Sequence, residues 1–255
     1  MFVHNFDPVL ANIGPLEIRY YGLMYVLGFI LGYFMIQSLA KKKVQIKKSS
    51  IEDLLVYTGI FGILGARLFY ILFYNLSYYV QNPYELIAIW HGGLSFHGGL
   101  LGGAFGIYVF SRQNKFNFFD LLDLVVVPFS FALGLGRIGN FINGELPGRL
   151  TSVPWCFEFP GIDGCRHPSQ LYESLYSFVI FGILWKLKDK RMKSGMLFGI
   201  FMLLYSSFRF FTEFFREADV QLGYFHGLTM GQLLNILLFI AGLVFIKHIN
   251  KSKGR

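Results

Sequence analysis

The residues best equipped for chemistry in this chain are arginines set among amides, carboxylates and glycines. The densest run reads Gly136-Arg137-Ile138-Gly139-Asn140-Phe141-Ile142-Asn143-Gly144-Glu145-Leu146-Pro147-Gly148-Arg149. On a helix, Arg137, Asn140 and Gly144 would share a face, placing a cation and an amide on one stripe beside glycines that let a ligand approach the backbone. A second run, Tyr205, Arg209, Glu213 and Arg216, falls at i, i+4, i+8 and i+11, one helical stripe through a segment otherwise rich in Phe and Leu. A guanidinium is planar and always ionised, and it grips a phosphate or carboxylate through two parallel hydrogen bonds, so both runs suit an anionic headgroup. Each run also has a plainer reading. The first would be a polar helix end that stops at a Gly/Pro turn. The second would be an Arg209–Glu213 pair that neutralises itself so that the helix can insert. An Arg–Asn pair inside a membrane is costly unless it faces a partner, which favours a site.

The segment His91-Gly92-Gly93-Leu94-Ser95-Phe96-His97-Gly98-Gly99 leads into an apolar run. It is no P-loop, because the G-x-x-x-x-G-K-[ST] spacing is absent. Paired glycines around a histidine permit close approach by a substrate, and histidine titrates near neutrality, so His97 is a candidate proton acceptor. The alternative is a hydrogen-bonded histidine that packs helices. Tyr20-Tyr21-Gly22 reads as an interfacial aromatic belt, with a headgroup contact from Tyr21 as the sharper alternative. Arg67 would either snorkel outward or pair with the site. Arg166-His167-Pro168-Ser169-Gln170 is a helix start, proline being tolerated in the first turn, and could also bring His167 or Gln170 to the cleft. Cys156 and Cys165 are the only cysteines and fall in one outer loop, where oxidising conditions allow a disulfide. Two cysteines alone do not make a metal site, and nothing else in the chain has metal-ligand spacing.

Membrane helices must position these side chains. Of the 255 residues 54% are hydrophobic and only 15% charged, with mean hydropathy +0.50, too apolar for a soluble domain of this length. Apolar runs and their breakers give candidate spans near 18–40, 53–75, 94–111, 120–141, 170–186, 196–215 and 230–247. The expectation is an all-α polytopic membrane protein of seven transmembrane helices. Met1–Pro15 lacks the pattern of a cleavable signal peptide, so the first span is expected to insert and stay. Sixteen of the 23 basic residues follow odd-numbered spans, which predicts an outer N-terminus and a cytoplasmic C-terminus. The net charge of +8 is thus assigned to topology and not to nucleic acid. The seven basic residues left over are Arg19, Arg67, Arg137, Arg149, Arg166, Arg209 and Arg216, whereas all thirteen lysines fall inside. Residues 1–255 read as one membrane domain without internal repeats, with 144–168 as a small periplasmic excursion between helices four and five.

Four segments occur in order: G-G-L-S-F-H-G-G at 92–99, G-R-I-G-N-F-I-N-G-E-L-x-G-R at 136–149, R-H-P-S-Q-L-Y-E at 166–173 and F-R-x-x-x-E-F-F-R at 208–216. Through them the chain resembles the bacterial prolipoprotein diacylglyceryl transferases over essentially its whole length. The resemblance implies a seven-helix inner-membrane enzyme without cofactor or metal, working at the periplasmic side. Such enzymes transfer the diacylglyceryl group of phosphatidylglycerol to the lipobox cysteine of a prolipoprotein signal peptide, leaving a thioether and releasing glycerol 1-phosphate. Carried over by motif, the implied residues are Tyr21, His97, Arg137, Asn140, Asn143, Glu145, Gly148, Tyr205, Arg209, Glu213 and Arg216. The Cys156/Cys165 pair with its short loop departs from the pattern and bears on arm geometry, not on chemistry.

On this reading Arg137 and Arg209 hold the lipid phosphate and leaving group, while Asn140, Asn143 and Glu145 bind the headgroup glycerol. His97 is the candidate base with Tyr205 orienting it, and a tyrosine or a phosphate oxygen is the alternative acceptor. Glu213 would position Arg209, and Arg149 and Arg216 would stand at the rim. Two other classes compete. An anion or lipid transporter would show related halves and a polar path continuing inward, and neither is visible. A non-catalytic scaffold would leave this density of Arg, Asn, His and Glu without a use.

Overall fold

The structure, a computed structural model, describes residues 1–14, 16–217, 224, 225 and 227–251. In a bilayer an uncharged run of about twenty residues can satisfy its backbone only internally, as a helix. The described chain is accordingly mostly helical. Its helices are α1 (Tyr20–Lys43), α2 (Lys48–Tyr74), the short α3 (Leu76–Gln81), α4 (Phe96–Asn114), α5 (Phe118–Ile142), α6 (Ser169–Leu187), α7 (Met196–Thr212) and α8 (Met230–Lys251). Four stretches, Tyr20–Lys41, Lys48–Tyr74, Phe118–Ile142 and Met230–Lys251, are long and apolar enough to cross a membrane. Phe29, Phe34, Leu64, Leu68, Phe105, Leu237 and Val244 are each more than half exposed on these and neighbouring helices. Such a density of exposed apolar side chains fits lipid as the surrounding solvent. The chain is a multi-pass membrane protein.

Helix ends follow local chemistry. Ser95 caps α4 by accepting from the Gly98 N–H, and Lys115 ends it in the left-handed region at φ 59°. Asn117 Oδ1 accepts from the Phe119 and Asp120 N–H groups and so starts α5. The all-α expectation omits seven short strands among the described residues. The longest pair, β2 (Val9–Ile13) and β3 (Leu16–Arg19), forms an antiparallel hairpin before α1. Near the N-terminus, β1 (Phe2–Val3) lies parallel to β4 (Phe157–Glu158), which pairs in turn with β5 (Cys165–Arg166). The Cys156–Cys165 disulfide closes that turn, and the rings of His4, Phe6, Phe141, Phe157 and Phe159 pack beside it. The remaining strands, β6 (Tyr224–Phe225) and β7 (Leu228–Thr229), make a two-residue ladder before α8. Strands of two residues have no periodicity to read, which is why the apolar pattern missed them.

The chain divides into two compact units, Met1–Met35 with Val125–Arg255, and Ile36–Leu124. In the first, α6, α7 and α8 pack in sequence. In the second, α2 and α4 approach through glycines, as membrane helices do when small residues let backbones meet. A Cβ at Gly102 would fall 2.1 Å from the Phe61 carbonyl oxygen. Gly102→Ala is expected to force α2 and α4 apart and destabilise the fold by about 1–3 kcal/mol. Thermal unfolding in detergent reads this directly, and an unchanged midpoint would contradict the packing.

Candidate active site

Three arginines of the first unit converge on one carboxylate. Arg137, in the penultimate turn of α5, places Nη2 2.9 Å from Glu173 Oε2. Arg216 donates from Nη1 to Glu173 Oε1 at 3.1 Å. Arg209 Nε stands 3.9 Å from Oε2, while its Nη1 bonds to Glu213 one turn on. Glu173 lies in the second turn of α6 and is 1% exposed, whereas the arginine side chains keep 11–21% of their surface open. The carboxylate therefore sits beneath the guanidinium groups. Direct pairing joins three cations to two carboxylates, which leaves one positive charge for an anion to balance. Glu213 is itself fixed from its other side, where Oε1 accepts from the Thr229 hydroxyl at 2.9 Å.

A polar relay runs from Arg137 toward the end of α5. Arg137 Nη1 donates to Asn140 Oδ1 at 3.4 Å, and Asn140 Nδ2 donates to Glu145 Oε2 at 3.1 Å. Asn143 Nδ2 donates to the other Glu145 oxygen at 3.1 Å. Gln170 holds the turn through its amide, which donates to the Glu145 carbonyl at 2.6 Å, and Ser169 donates to the Leu146 carbonyl at 3.1 Å. Tyr21 of α1 lies against Gly139, and its hydroxyl shares a hydrogen bond with Tyr25 at 2.8 Å. Tyr205 is buried, stacked on Phe201 and edge-on to Tyr176.

Several sequence expectations need correction. The 205–216 stripe is not one helix: α7 ends at Thr212, with Glu213 as its cap, and Arg216 reaches Glu173 from the strap beyond. Gly144 likewise leaves the face of Arg137 and Asn140, because α5 ends at Ile142 and Gly144 turns at φ 69°. The strap is a backbone lattice. The Gly148 N–H donates to His167 O at 2.9 Å, the His167 N–H to Arg149 O at 3.0 Å, and the Arg149 N–H to Phe215 O at 2.9 Å. A Cβ at Gly148 would meet the Phe215 and His167 carbonyls at 2.4 and 2.6 Å, so glycine is required there for backbone approach. Arg149 Nε donates to Arg216 O at 2.7 Å, and Arg166 holds Gly148 O at 3.1 Å and Glu217 at 2.8 Å. His167 packs on Phe215 and Tyr172, and burial lowers its pKa by penalising the charged imidazolium.

Glu173, the centre of the cluster, was not singled out by its type or spacing. Charge counting would have found it, since Arg137 and Arg209 in apolar helices need more counter-charge than Glu213 supplies. Arg19 pairs with Glu17 at the exposed base of the hairpin, at 2.8 Å. Arg67 is in the other unit and does not snorkel outward: it is 4% exposed and bonded to backbone carbonyls of its own unit. His97, the second residue of α4, also belongs to that unit and is half-buried, with its ring edge-on to Phe96.

Fold and site together define a multi-pass helical membrane protein with an arginine-rich polar centre set among its helices. A family model described as prolipoprotein diacylglyceryl transferase matches residues 8–248. The chain belongs to the prolipoprotein diacylglyceryl transferase family and is a transferase. Among its relatives, the phosphatidylglycerol–prolipoprotein diacylglyceryl transferase of Geobacter sulfurreducens is 48% identical over 254 residues, covering 98% of this chain and 97% of that protein. The enzyme of the same name from Oleidesulfovibrio alaskensis is 46% identical over 253 residues, 97% of this chain and 95% of its own length. That of Francisella tularensis is 43% identical over 260 residues, 98% and 97%.

Proposed function

We propose that this chain moves the diacylglyceryl group of phosphatidylglycerol onto the lipobox cysteine of a prolipoprotein, the first step of lipoprotein maturation in the bacterial inner membrane. The observation that carries the reading is the cluster of Arg137, Arg209 and Arg216 over Glu173, with one positive charge in excess. A phosphodiester anion matches that charge, and the Asn140–Glu145–Asn143 relay beside it offers polar groups to a headgroup glycerol. The cysteine sulfur attacks the glyceryl carbon that bears the phosphate. The S–C bond forms as the C–O bond breaks, and glycerol 1-phosphate leaves with the electron pair. Charge on the phosphate grows from one to two, so Arg137 and Arg209 stabilise the transition state more than the ground state. The thiol proton must go to a base, since thiolate is the nucleophile.

His97 is that base in our reading, with Tyr21, Gly148, Glu213 and Arg216 completing the lipid-binding set and Tyr205 orienting the base. Seven spans place the N-terminus and the 144–168 excursion on the periplasmic side, the C-terminus in the cytoplasm and the arginine cluster toward the periplasm, within one membrane domain. Purified protein in phosphatidylglycerol micelles with a lipobox peptide is expected to yield a diacylglyceryl adduct at cysteine by mass spectrometry. Absence of the adduct, with a known transferase working alongside, would defeat the reading. His97→Gln should lower the rate about 10²-fold or more and remove the limb in which rate rises with pH as the imidazole loses its proton. Full rate across neutral pH would take His97 out of the proton transfer.

A further inference from the structure

We propose that Arg67 is a positioning residue that fixes the segment carrying His97 by taking the backbone carbonyls in front of α4; the proposal rests on the reading of His97 as base. A guanidinium has five N–H groups, and Arg67 has a carbonyl for each. Its Nε donates to Leu86 O at 3.3 Å. Nη1 donates to Gly92 O and to Gly93 O, the latter at 3.1 Å. Nη2 donates to Glu85 O at 2.5 Å and Ala88 O at 3.0 Å. The ring of Tyr79 lies under the cation at 4.9 Å. Every donor is spent on the chain itself, so Arg67 is not a phosphate site. The one carboxylate of that segment, Glu85, turns to His91 at 3.0 Å.

The carbonyls come from a stretch with little regular structure to hold its own shape. Residues 83–93 contain two single 3-10 turns and the pair Gly92 and Gly93 at φ 85° and 75°; hydrogen bonds in 3-10 turns are poorly aligned, and glycine costs more backbone entropy to order than any other residue. Arg67 collects both ends of this stretch on one rigid fork. The residue before it does the same for the next step: Ala66 O accepts from the Ser95 N–H at 3.0 Å, and Ser95 caps the turn of α4 that holds His97. Two neighbouring positions on α2 thus set where α4 begins and where its second residue points. A lysine at 67 would keep the charge but offers three donors at one point, leaving carbonyls unmatched.

The test is a double-mutant cycle between Arg67→Lys and His97→Gln, with kcat and KM for phosphatidylglycerol measured on the full chain in micelles. Arg67→Lys is expected to lower kcat about 10- to 100-fold, the scale of a misplaced catalytic group, with KM near the wild-type value. The double variant should be no slower than His97→Gln alone. Losses that multiply, or an Arg67→Lys enzyme with normal kcat, would overturn the proposal. If Arg67→Lys fails to fold, Gly92→Ala serves, because its Cβ meets nothing within 4 Å and only the backbone conformation is strained. It should lower kcat and likewise add nothing to His97→Gln, and multiplying losses would again overturn the role. His97→Gln measured alone separates the two claims: full rate there removes the base, and the positioning role with it, whatever Arg67 does.

Discussion

Arg209→Lys is expected to lower turnover by about 10²–10³-fold, the loss seen when one preorganised donor is removed from a developing anion. The variant keeps the charge, so the loss isolates geometry. Glu213 already holds one terminal nitrogen of Arg209, and Glu173 lies 3.9 Å from Nε, so the guanidinium is oriented before any anion arrives. An ammonium in its place is a point charge that cannot satisfy Glu213 and a phosphate with the same planar fork. Because charge on the phosphate increases along the reaction, kcat should fall more than KM rises. Arg137→Lys should behave alike, since Arg137 also divides its donors, between Glu173 and Asn140. Steady-state assays on folded protein in phosphatidylglycerol micelles check both, and Lys variants with near-normal turnover would refute fork recognition.

Glu173→Gln is expected to have the largest effect on stability. The substitution preserves shape and removes the charge on which Arg137, Arg209 and Arg216 converge, in a carboxylate that is 1% exposed. Breaking a buried ion cluster by removing one partner costs about 3–5 kcal/mol, because the remaining charges stay desolvated. The thermal midpoint in detergent should drop accordingly. Added phosphate should recover part of the loss in the variant and do less for the wild type, because an anion can stand where the carboxylate charge was. A variant as stable as the parent would mean that the arginines do not depend on Glu173.

Much of this molecule was legible before its structure, for reasons that particular residues make clear. The helices declared themselves because a bilayer demands long uncharged runs, yet α2 starts at Lys48, five residues before the predicted span. Hydropathy marks the membrane and not the hydrogen bonding, so a polar first turn such as Lys48-Ser49-Ser50 is invisible to it. The hairpin Val9–Arg19 carries a turn signal, Gly14-Pro15 between apolar runs, but its strands are too short for the long apolar runs that mark membrane helices to reveal them. The arginines stood out because no lysine falls among the seven basic residues outside the Lys/Arg clusters that follow the odd-numbered predicted spans. What each arginine does could not be read from type: Arg137, Arg209 and Arg216 share a carboxylate, whereas Arg149 and Arg166 tie a strap and Arg67 holds carbonyls. Those partners lie 18 to 67 residues away in the chain, beyond any local spacing rule. The helical stripe through Arg216 failed for the same reason, since pairing with Gly148 stops the helix before Arg216 is reached.

If the arginine cluster holds the phosphate that leaves, a reaction in phosphatidylglycerol micelles with lipobox peptide should release one glycerol phosphate monoester for each thioether formed. Phosphorus NMR follows the monoester and mass spectrometry the thioether, and Arg209→Lys should slow both equally. Thioether without the monoester, phosphatidic acid in its place, or an Arg209→Lys enzyme that keeps pace with the parent would show that the cluster does not hold the leaving phosphate.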